Sequence, residues 1–139
     1  MALHLLRSAM GIADIAALED IQGRRAAARG GGPVMSWTRR RPLRAAEIVG
    51  GGSLYWIMRG FIRARQPVLG FEEGTDEDGR WFGLFVLADR PIPVEPVEQK
   101  GFQGWRYLEA AKAPPDLDPA RTGDMPPDMV AELKSLGLL

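Results

Sequence analysis

The chain contains no cysteine and a single histidine, His4, among its 139 residues. Disulfide frameworks, thiol nucleophiles and zinc sites are therefore excluded or nearly so, and a cysteine-free chain fits a reducing compartment. No apolar run approaches the roughly 20 residues of a membrane span, and Arg7 interrupts the apolar start too early for a signal peptide. We expect a cytoplasmic protein without membrane or metal partners.

Groupings of catalytic residues are also missing from the sequence. His4 has no serine, cysteine or paired acid near it in the chain, which favours a hydrogen-bonded structural histidine over a general base. Ser53 lacks the context of a nucleophile elbow, and the acidic residues between 72 and 78 lack the spacing of a calcium loop. We predict no catalytic residue, no metal and no cofactor, and hence a protein that is not an enzyme.

The charges sum to zero but are unevenly distributed along the chain. Residues 24–65 carry ten arginines and one acidic residue, Glu47, whereas residues 66–139 carry seven basic and fourteen acidic residues. This asymmetry has two interpretations: a basic face opposite an acidic one, or two halves that pair with each other in the fold. The sequence leaves both open.

The length and the hydrophobic share of 45% fit one domain, residues 1–139. Apolar periodicity, proline and glycine positions predict its elements. These are strands over 3–10, 34–39 and 54–59, helices over 14–29 and 43–49, a hairpin of 68–73 with 80–88, a proline-rich extended connection over 114–125, and a C-terminal helix over 126–136 with Met129, Leu133 and Leu136 on its apolar stripe.

Three consecutive glycines, Gly50 to Gly52, raise the question of a phosphate-binding loop. Such loops run from a strand through glycines into a helix, whose N-terminus attracts the anion. Here the helix comes before the glycines and the strand after them, so they sit at a helix C-terminus, where the dipole repels anions. The order favours a structural corner.

One stretch mixes arginine and aromatic residues in a pattern typical of nucleic-acid binding. In a continuous strand, the odd-numbered residues Tyr55, Arg59, Phe61, Arg63 and Arg65 would share a face. Aromatic rings on such a face can stack on bases, and arginines can meet phosphates. Arg39 and Arg40 lie just before it in the sequence. The alternative is a solvated strand face with its aromatic residues covered.

The segment FQGWRYL, residues 102–108, carries two further candidates, Trp105 and Arg106. Both could take part in ligand binding, but the segment also fits a structural plug anchored by Phe102 and Trp105. In that interpretation Arg106 pairs with an acid such as Glu72 or Glu73.

Four blocks in the sequence carry a resemblance to a known family: MALHLLR, RAAEIVGGGSLYWIMRGFIRARQ, FQGWRYL and PPDMVAELKSLGLL. In this order they resemble, from end to end, the bacterial family catalogued as domain of unknown function 1489. The resemblance implies a small cytoplasmic bacterial protein and no catalytic activity.

The order of predicted elements is also similar to that of PUA-like and ASCH-type small β-barrels, many of which bind RNA or modified bases. We therefore expect an α+β fold, with a curved, mostly antiparallel sheet or a small PUA-like β-barrel. It would carry an N-terminal helix, a short helix before Gly50 and a C-terminal helix.

Two functions remain open at the level of sequence. The first is a non-enzymatic module that binds RNA or a nucleotide through the arginine and aromatic residues named above. The second is a protein–protein interaction or structural accessory module that presents FQGWRYL or the C-terminal helix to a partner.

Overall fold

The computed structural model describes residues 2–139, and the side chain of Arg121 is outside that description. Met1, with which the predicted domain begins, also lies outside the described residues. The elements, in chain order, are β1 (Leu3–Ser8), α1 (Ile15–Ala28), β2 (Val34–Thr38), α2 (Ala45–Val49), β3 (Ser53–Met58), β4 (Phe61–Thr75), β5 (Trp81–Leu87), β6 (Ile92–Glu98), β7 (Trp105–Glu109), a 3₁₀ turn (Ala110–Lys112), α3 (Pro119–Thr122) and α4 (Pro127–Ser135).

The strands form one curved sheet in the order β2-β5-β4-β3-β1-β7, with β6 beside β4. β1 runs parallel to β3, and every other pairing among the described strands is antiparallel. The expected α+β class is confirmed, with a mostly antiparallel curved sheet, an N-terminal helix, a short helix before Gly50 and a C-terminal helix.

The long strand β4 belongs to both parts of this sheet. Up to Pro67 it pairs with β3 on one side and β6 on the other, and from Val68 onward it pairs with β5. Pro67 has no N–H to donate to a strand ladder, and it lies where β4 changes partner, with its carbonyl accepting from the N–H of Ala88. The change of partner bends the sheet around the core.

Alternate residues of β3 supply two hydrophobic cores on opposite faces of the sheet. Leu54 and Trp56 pack in the larger core with Leu18 of α1, Phe85 of β5 and Trp105 of β7. Tyr55 and Ile57 pack in the smaller core with Leu6, Ile62, Val94 and Leu108. β3 is therefore buried on both faces, which is why none of its six residues is exposed.

The three glycines form the corner between α2 and β3. Gly51 has a φ of 128°, which few L-residues adopt. A Cβ on Gly52 would overlap the carbonyl oxygen of Leu3 and lie 2.7 Å from that of Ile48. Glycine at 52 is thus required by the close approach of α2 and β1 to the turn, and the corner interpretation accounts for it without a ligand.

A shared face for residues 55–65 required one continuous strand, which the structure does not contain. β3 ends at Met58, and Arg59 (φ 50°) and Gly60 (φ 77°) form a tight turn into β4. A bulge follows at Arg63, because Ile57 pairs with Ile62 and Trp56 with Ala64, which leaves Arg63 as the extra residue. The turn and the bulge therefore separate most of the residues that were predicted to share one face, although Tyr55 and Arg65 still share one as partners across β3 and β4.

The C-terminal region departs from prediction in two respects. The helix α3 interrupts the connection predicted as extended over 114–125. The C-terminal helix buries Val130 and Ala131, whereas Met129 and Leu136 of the predicted stripe are 51% and 63% exposed. The rotation of α4 is fixed instead by Asp128, whose carboxylate accepts the first two N–H groups of α1 at 2.8 and 3.2 Å.

Candidate binding cleft

The sheet curls toward a barrel but is not closed by main-chain hydrogen bonds between β2 and the β1–β7 edge. Side chains bridge this opening instead. Arg7 Nη1 donates to Ser36 Oγ at 3.0 Å and to the carbonyl oxygen of Trp37 at 2.9 Å. Trp105 Nε1 donates to Thr38 Oγ1 at 3.0 Å. Strand β2 is thus held against β1 and β7 by side chains, which leaves room for a cleft beside it.

This opening contains a cavity, which we call the α1/β2 cleft. It has a volume of about 500 Å³, within the size range of small-molecule sites. One wall comes from α1 and the other from β2, and the end of β1 with the residues after it completes the lining. The lining residues are Arg7, Ser8, Ala9, Met10, Ile12, Leu18, Gln22, Arg25, Arg29, Val34, Met35, Ser36, Trp37, Trp56 and Leu84.

Helix α1 contributes a single stripe to the cleft. Leu18, Gln22, Arg25 and Arg29 follow one another at helical spacing. Leu18 lies in the core, Gln22 is 7% exposed, and Arg25 and Arg29 lie in the last turn and at the C-cap. The stripe therefore runs from the apolar core to a cationic rim.

The charge of the α1/β2 cleft is entirely positive. Arg7, Arg25 and Arg29 line it, and no aspartate or glutamate does. Within the described residues, none of the three forms an ion pair, and Arg29 donates only to the carbonyl oxygen of Pro33. Burial lowers the pKa of Arg7, which has no carboxylate to offset its desolvation. Such a cleft attracts anions.

Below the cleft, a pair of glutamines joins α1 to β4. Gln22 and Gln66 exchange amide hydrogen bonds of 2.8 and 2.9 Å. Gln66, which is fully buried, also accepts from Trp56 Nε1 at 3.0 Å and donates to the carbonyl oxygen of Ala88 at 2.8 Å. All four hydrogen-bonding positions of the Gln66 amide are therefore used, and α1 is held at a fixed distance from the sheet.

A second arginine-rich surface extends from the outer end of β2. Arginines of residues 39–44 lie over aromatic rings at 3.8 to 5.6 Å, in the range of cation–π contacts. The pairs are Arg39 on Trp37, Arg40 on Trp105, Arg41 on Trp81 and Arg44 on Tyr107. We call this the 39–44 surface; it adjoins the cleft at Trp37, which is 46% exposed.

On the 39–44 surface, neighbouring acids occupy most of the arginines. Arg39 Nη2 lies 2.6 Å from Asp76 Oδ2, and Arg41 lies 2.6 Å from Glu73. Arg40 instead donates to the carbonyl oxygen of Trp105. The two halves of the chain thus pair with each other here, as one of the two interpretations of the charge asymmetry proposed.

Of the residues predicted to share a strand face, the structure keeps Tyr55 and Arg65 together as partners across β3 and β4 and disperses the others. Tyr55 is 4% exposed in the smaller core. Arg59 lies in the turn, 3.8 Å from Glu132 of α4. Phe61 begins β4, pairs with Met58 and is half-buried.

Arg63 and Arg65 contact different parts of the molecule. Arg63 is 2% exposed, donates to the carbonyl oxygen of Ala13 at 3.4 Å, and has a buried Nε without a hydrogen-bond partner. Arg65 forms a bidentate pair with Asp116 at 2.6 and 2.9 Å, and its hydrogen bond lowers the pKa of Asp116. Both guanidiniums are engaged within the fold.

The FQGWRYL segment forms an edge strand and part of the core. Trp105 is 3% exposed in the larger core, and Phe102 packs against the smaller one. Arg106 lies 4.0 Å over the Phe102 ring and, within the described residues, forms no ion pair with Glu72 or Glu73, contrary to the predicted pairing. Trp105 therefore has no ring face free for a ligand.

His4 has the structural role that the sequence indicated. Its Nδ1 accepts from the N–H of Ser53 at 2.9 Å, so Nδ1 must be unprotonated. Burial and then the nearby Arg65 charge lower the pKa of His4. The described residues contain no group of three or more histidines, cysteines or acids able to hold a metal ion, and none of their helices is long and apolar enough to cross a membrane.

The sequence prediction missed Arg7, Gln22, Arg25, Arg29 and Gln66. For α1, the signal was a stripe that begins with Ile15 and Leu18 and continues at the same spacing into polar and then cationic residues. A stripe of that kind indicates a helix running from the core to an anion-accessible rim. Arg7 and Gln66 had no local signal, because their partners lie 10 to 44 residues away in the sequence.

Comparison with known proteins gives a family match along nearly the whole chain. The profile of the family described as "Protein of unknown function (DUF1489)" matches residues 5–139. No curated protein matches significantly. Among solved structures, the chain is similar to a mutant of the ZmASCH protein from Zymomonas mobilis, with 11% identity, a TM-score of 0.48, and coverage of 78% of this chain and 90% of that one. So low a similarity supports no conclusion about binding or catalysis.

Proposed function

The chain belongs to the DUF1489 family, whose description assigns no activity, and from the α1/β2 cleft we propose that it is a cytoplasmic, non-enzymatic module that binds single-stranded RNA or a nucleotide. The observation that carries the proposal is the charge of the cleft: three arginines without carboxylate partners, in a protein whose formal net charge is zero. Arginines without carboxylate partners around a cavity make its potential positive, and an anionic ligand is then the expected partner.

The lining of the cleft supports a ligand that is planar as well as anionic. Between the arginines, the walls carry Leu18, Val34 and Trp56, and Trp37 stands partly exposed at the edge. Apolar and aromatic walls favour a base, while guanidiniums at the rim favour its phosphates. A nucleotide unit combines both parts.

The 39–44 surface supplies a path for further nucleotides. Arg39 and Arg40, predicted from the sequence as phosphate contacts, lie on it next to Trp37. We propose that they contact the backbone of a strand leaving the cleft. At Arg39 a phosphate would take the place of Asp76. Arg59, Arg63 and Arg65 contribute less in this proposal because they are outside the lining of the cleft.

The proposal is tested by changing one arginine of the cleft and one beside it. Arg25 and Arg24 are consecutive on α1, but Arg24 is outside the cleft lining and pairs with Asp20 at 2.6 Å. Fluorescence anisotropy with a labelled single-stranded RNA octamer is measured at about 50 and 200 mM salt, a range over which phosphate contacts weaken steeply.

We expect wild-type binding to fall with salt, and Arg25→Ala to bind more weakly and to lower the salt slope by about 0.7, the value for one lost contact to a single strand. Arg24→Ala should behave as wild type. If wild type does not bind at low salt, or if both variants bind alike, the cleft is not a nucleic-acid site.

The alternative, a protein-binding module, is favoured by the C-terminal end of the chain. Leu136, Leu138 and Leu139 are each at least 60% exposed there. An apolar contact of this kind would depend little on salt, so the same salt series distinguishes a partner of this end from a ligand of the cleft.

A further inference from the structure

The guanidinium of Arg7 is held in one orientation inside the cleft. Nη1 has two hydrogens, and both are used, by Ser36 Oγ and by the carbonyl oxygen of Trp37. These two bonds fix the plane of the group relative to β2. Unlike Arg25 and Arg29 at the rim, Arg7 is therefore pre-organised and half-buried.

The opposite edge of the same guanidinium remains available. No hydrogen bond of Nε or Nη2 is found within the described residues. Neither atom is fully buried, because Arg63 Nε is the one buried side-chain nitrogen without a partner among the described residues. Because Arg7 also lines the cavity, this edge is the part of the guanidinium that is left for a molecule bound there.

That edge presents two parallel N–H donors, which match two adjacent acceptors on a base. Guanine offers O6 and N7, the pair that arginine contacts most often, whereas adenine places an amino donor beside N7 and uracil has no adjacent acceptors. Cytosine offers N3 and O2 on its Watson–Crick edge, which a single strand also exposes, so tighter binding of a cytidine-containing strand would contradict a guanine site. Resting on the proposed function, we propose that the α1/β2 cleft holds a guanine base, whose O6 and N7 accept from Arg7 Nη2 and Nε while Arg25 and Arg29 meet the adjacent phosphates.

The competing role for the same edge is a bidentate contact with a phosphate, which arginine also makes. The two roles differ in what depends on the base. A phosphate contact adds affinity equally to all sequences, whereas a base contact adds it only where guanine is present.

The test compares uridine octamers that carry one central guanosine, adenosine or cytidine, and a fourth in which 7-deazaguanosine removes the N7 acceptor alone. With wild type we expect the guanosine octamer to bind about tenfold more tightly than the others, as one bidentate base contact provides, and the 7-deazaguanosine octamer to lose most of that advantage. This ligand-side comparison does not depend on any variant folding.

The protein-side comparison is Arg7→Lys, which keeps the positive charge but loses the planar pair of parallel N–H donors. We expect it to bind all octamers with similar affinity, while Arg24→Lys, outside the cleft lining, keeps the preference for guanosine. Equal wild-type binding of guanosine and 7-deazaguanosine, or a guanosine preference retained in Arg7→Lys, overturns the assignment and leaves RNA binding intact. If no octamer binds at low salt, both proposals fall.

Discussion

The buried amide of Gln66 offers the sharpest test of how the cleft is held in place. Replacing Gln66 with Met keeps the volume and length of the side chain but removes two donors and two acceptor sites. Three groups then lose their partner: Trp56 Nε1–H, the carbonyl oxygen of Ala88 and the amide of Gln22. Since Gln66 is fully buried, no water replaces it directly.

The magnitude follows from the surroundings of these three groups. A buried polar group left without a hydrogen bond costs ~1–3 kcal/mol. Gln22 lines the cleft, so water can reach its amide and reduce its share, whereas Trp56 is only 8% exposed. Two buried groups without partners destabilise the fold by about 4 kcal/mol, and burial of the apolar Met side chain offsets about 1 kcal/mol of this. The expected net loss is about 3 kcal/mol in the free energy of unfolding.

Urea denaturation followed by tryptophan fluorescence measures this loss. A domain with the usual 5–15 kcal/mol stays folded after it. The matched control is Gln103→Met, at an exposed glutamine, which should change stability by less than about 0.5 kcal/mol. In Gln22→Met/Gln66→Met, the loss should be smaller than the sum of the single losses, because neither amide is then left facing an apolar group. A loss below about 1 kcal/mol for Gln66→Met would refute the account of the network.

Two other predictions concern stability. Because the pKa of His4 is lowered in the fold, the unfolded chain binds the proton first, so stability is complete above about pH 6.5 and falls on acidification by at most about 1.4 kcal/mol per pH unit. His4→Asn keeps an acceptor for the N–H of Ser53, so its denaturation midpoint should vary less with pH over that range than that of wild type. An equal variation with pH would contradict this prediction. Gly52→Ala should cost at least about 3 kcal/mol because its Cβ meets backbone, whereas Gly50→Ala, with a φ of −74° and its Cβ 3.4 Å from the nearest atom, should cost less than about 1 kcal/mol in the same urea assay.

Much of the fold could be predicted from local pattern. The predicted helix over 14–29 is α1, which begins after Asp14, whose side chain accepts from the N–H of Ala17. The hairpin turn at Asp78-Gly79 has glycine at a φ of 77°, which is what that dipeptide predicts. These features depend on residues a few positions apart, so the sequence contains them directly.

The candidate site could not be predicted in the same way. The five residues chosen for a strand face depended on β3 and β4 forming one strand, and the turn at Arg59 removed that condition. Whether an arginine is free or paired depends on distant acids: Arg65 pairs with Asp116, 51 residues away, and Arg39 with Asp76. Arg25 was equally basic in the sequence, and only the fold shows that no acid approaches it.

Because β2 lies at the edge of the sheet, its pairing during synthesis has to wait for a later part of the chain. Among the described strands, β2 pairs with β5 alone, and Val34 must wait for Leu87 to leave the ribosome before it has a partner. Trp105, which holds Thr38 of β2 from the other side, emerges later still. Non-local pairings of this kind form slowly, so the wall of the cleft formed by β2 cannot take its shape until Leu87 and then Trp105 have been made, although it is encoded in the first third of the chain.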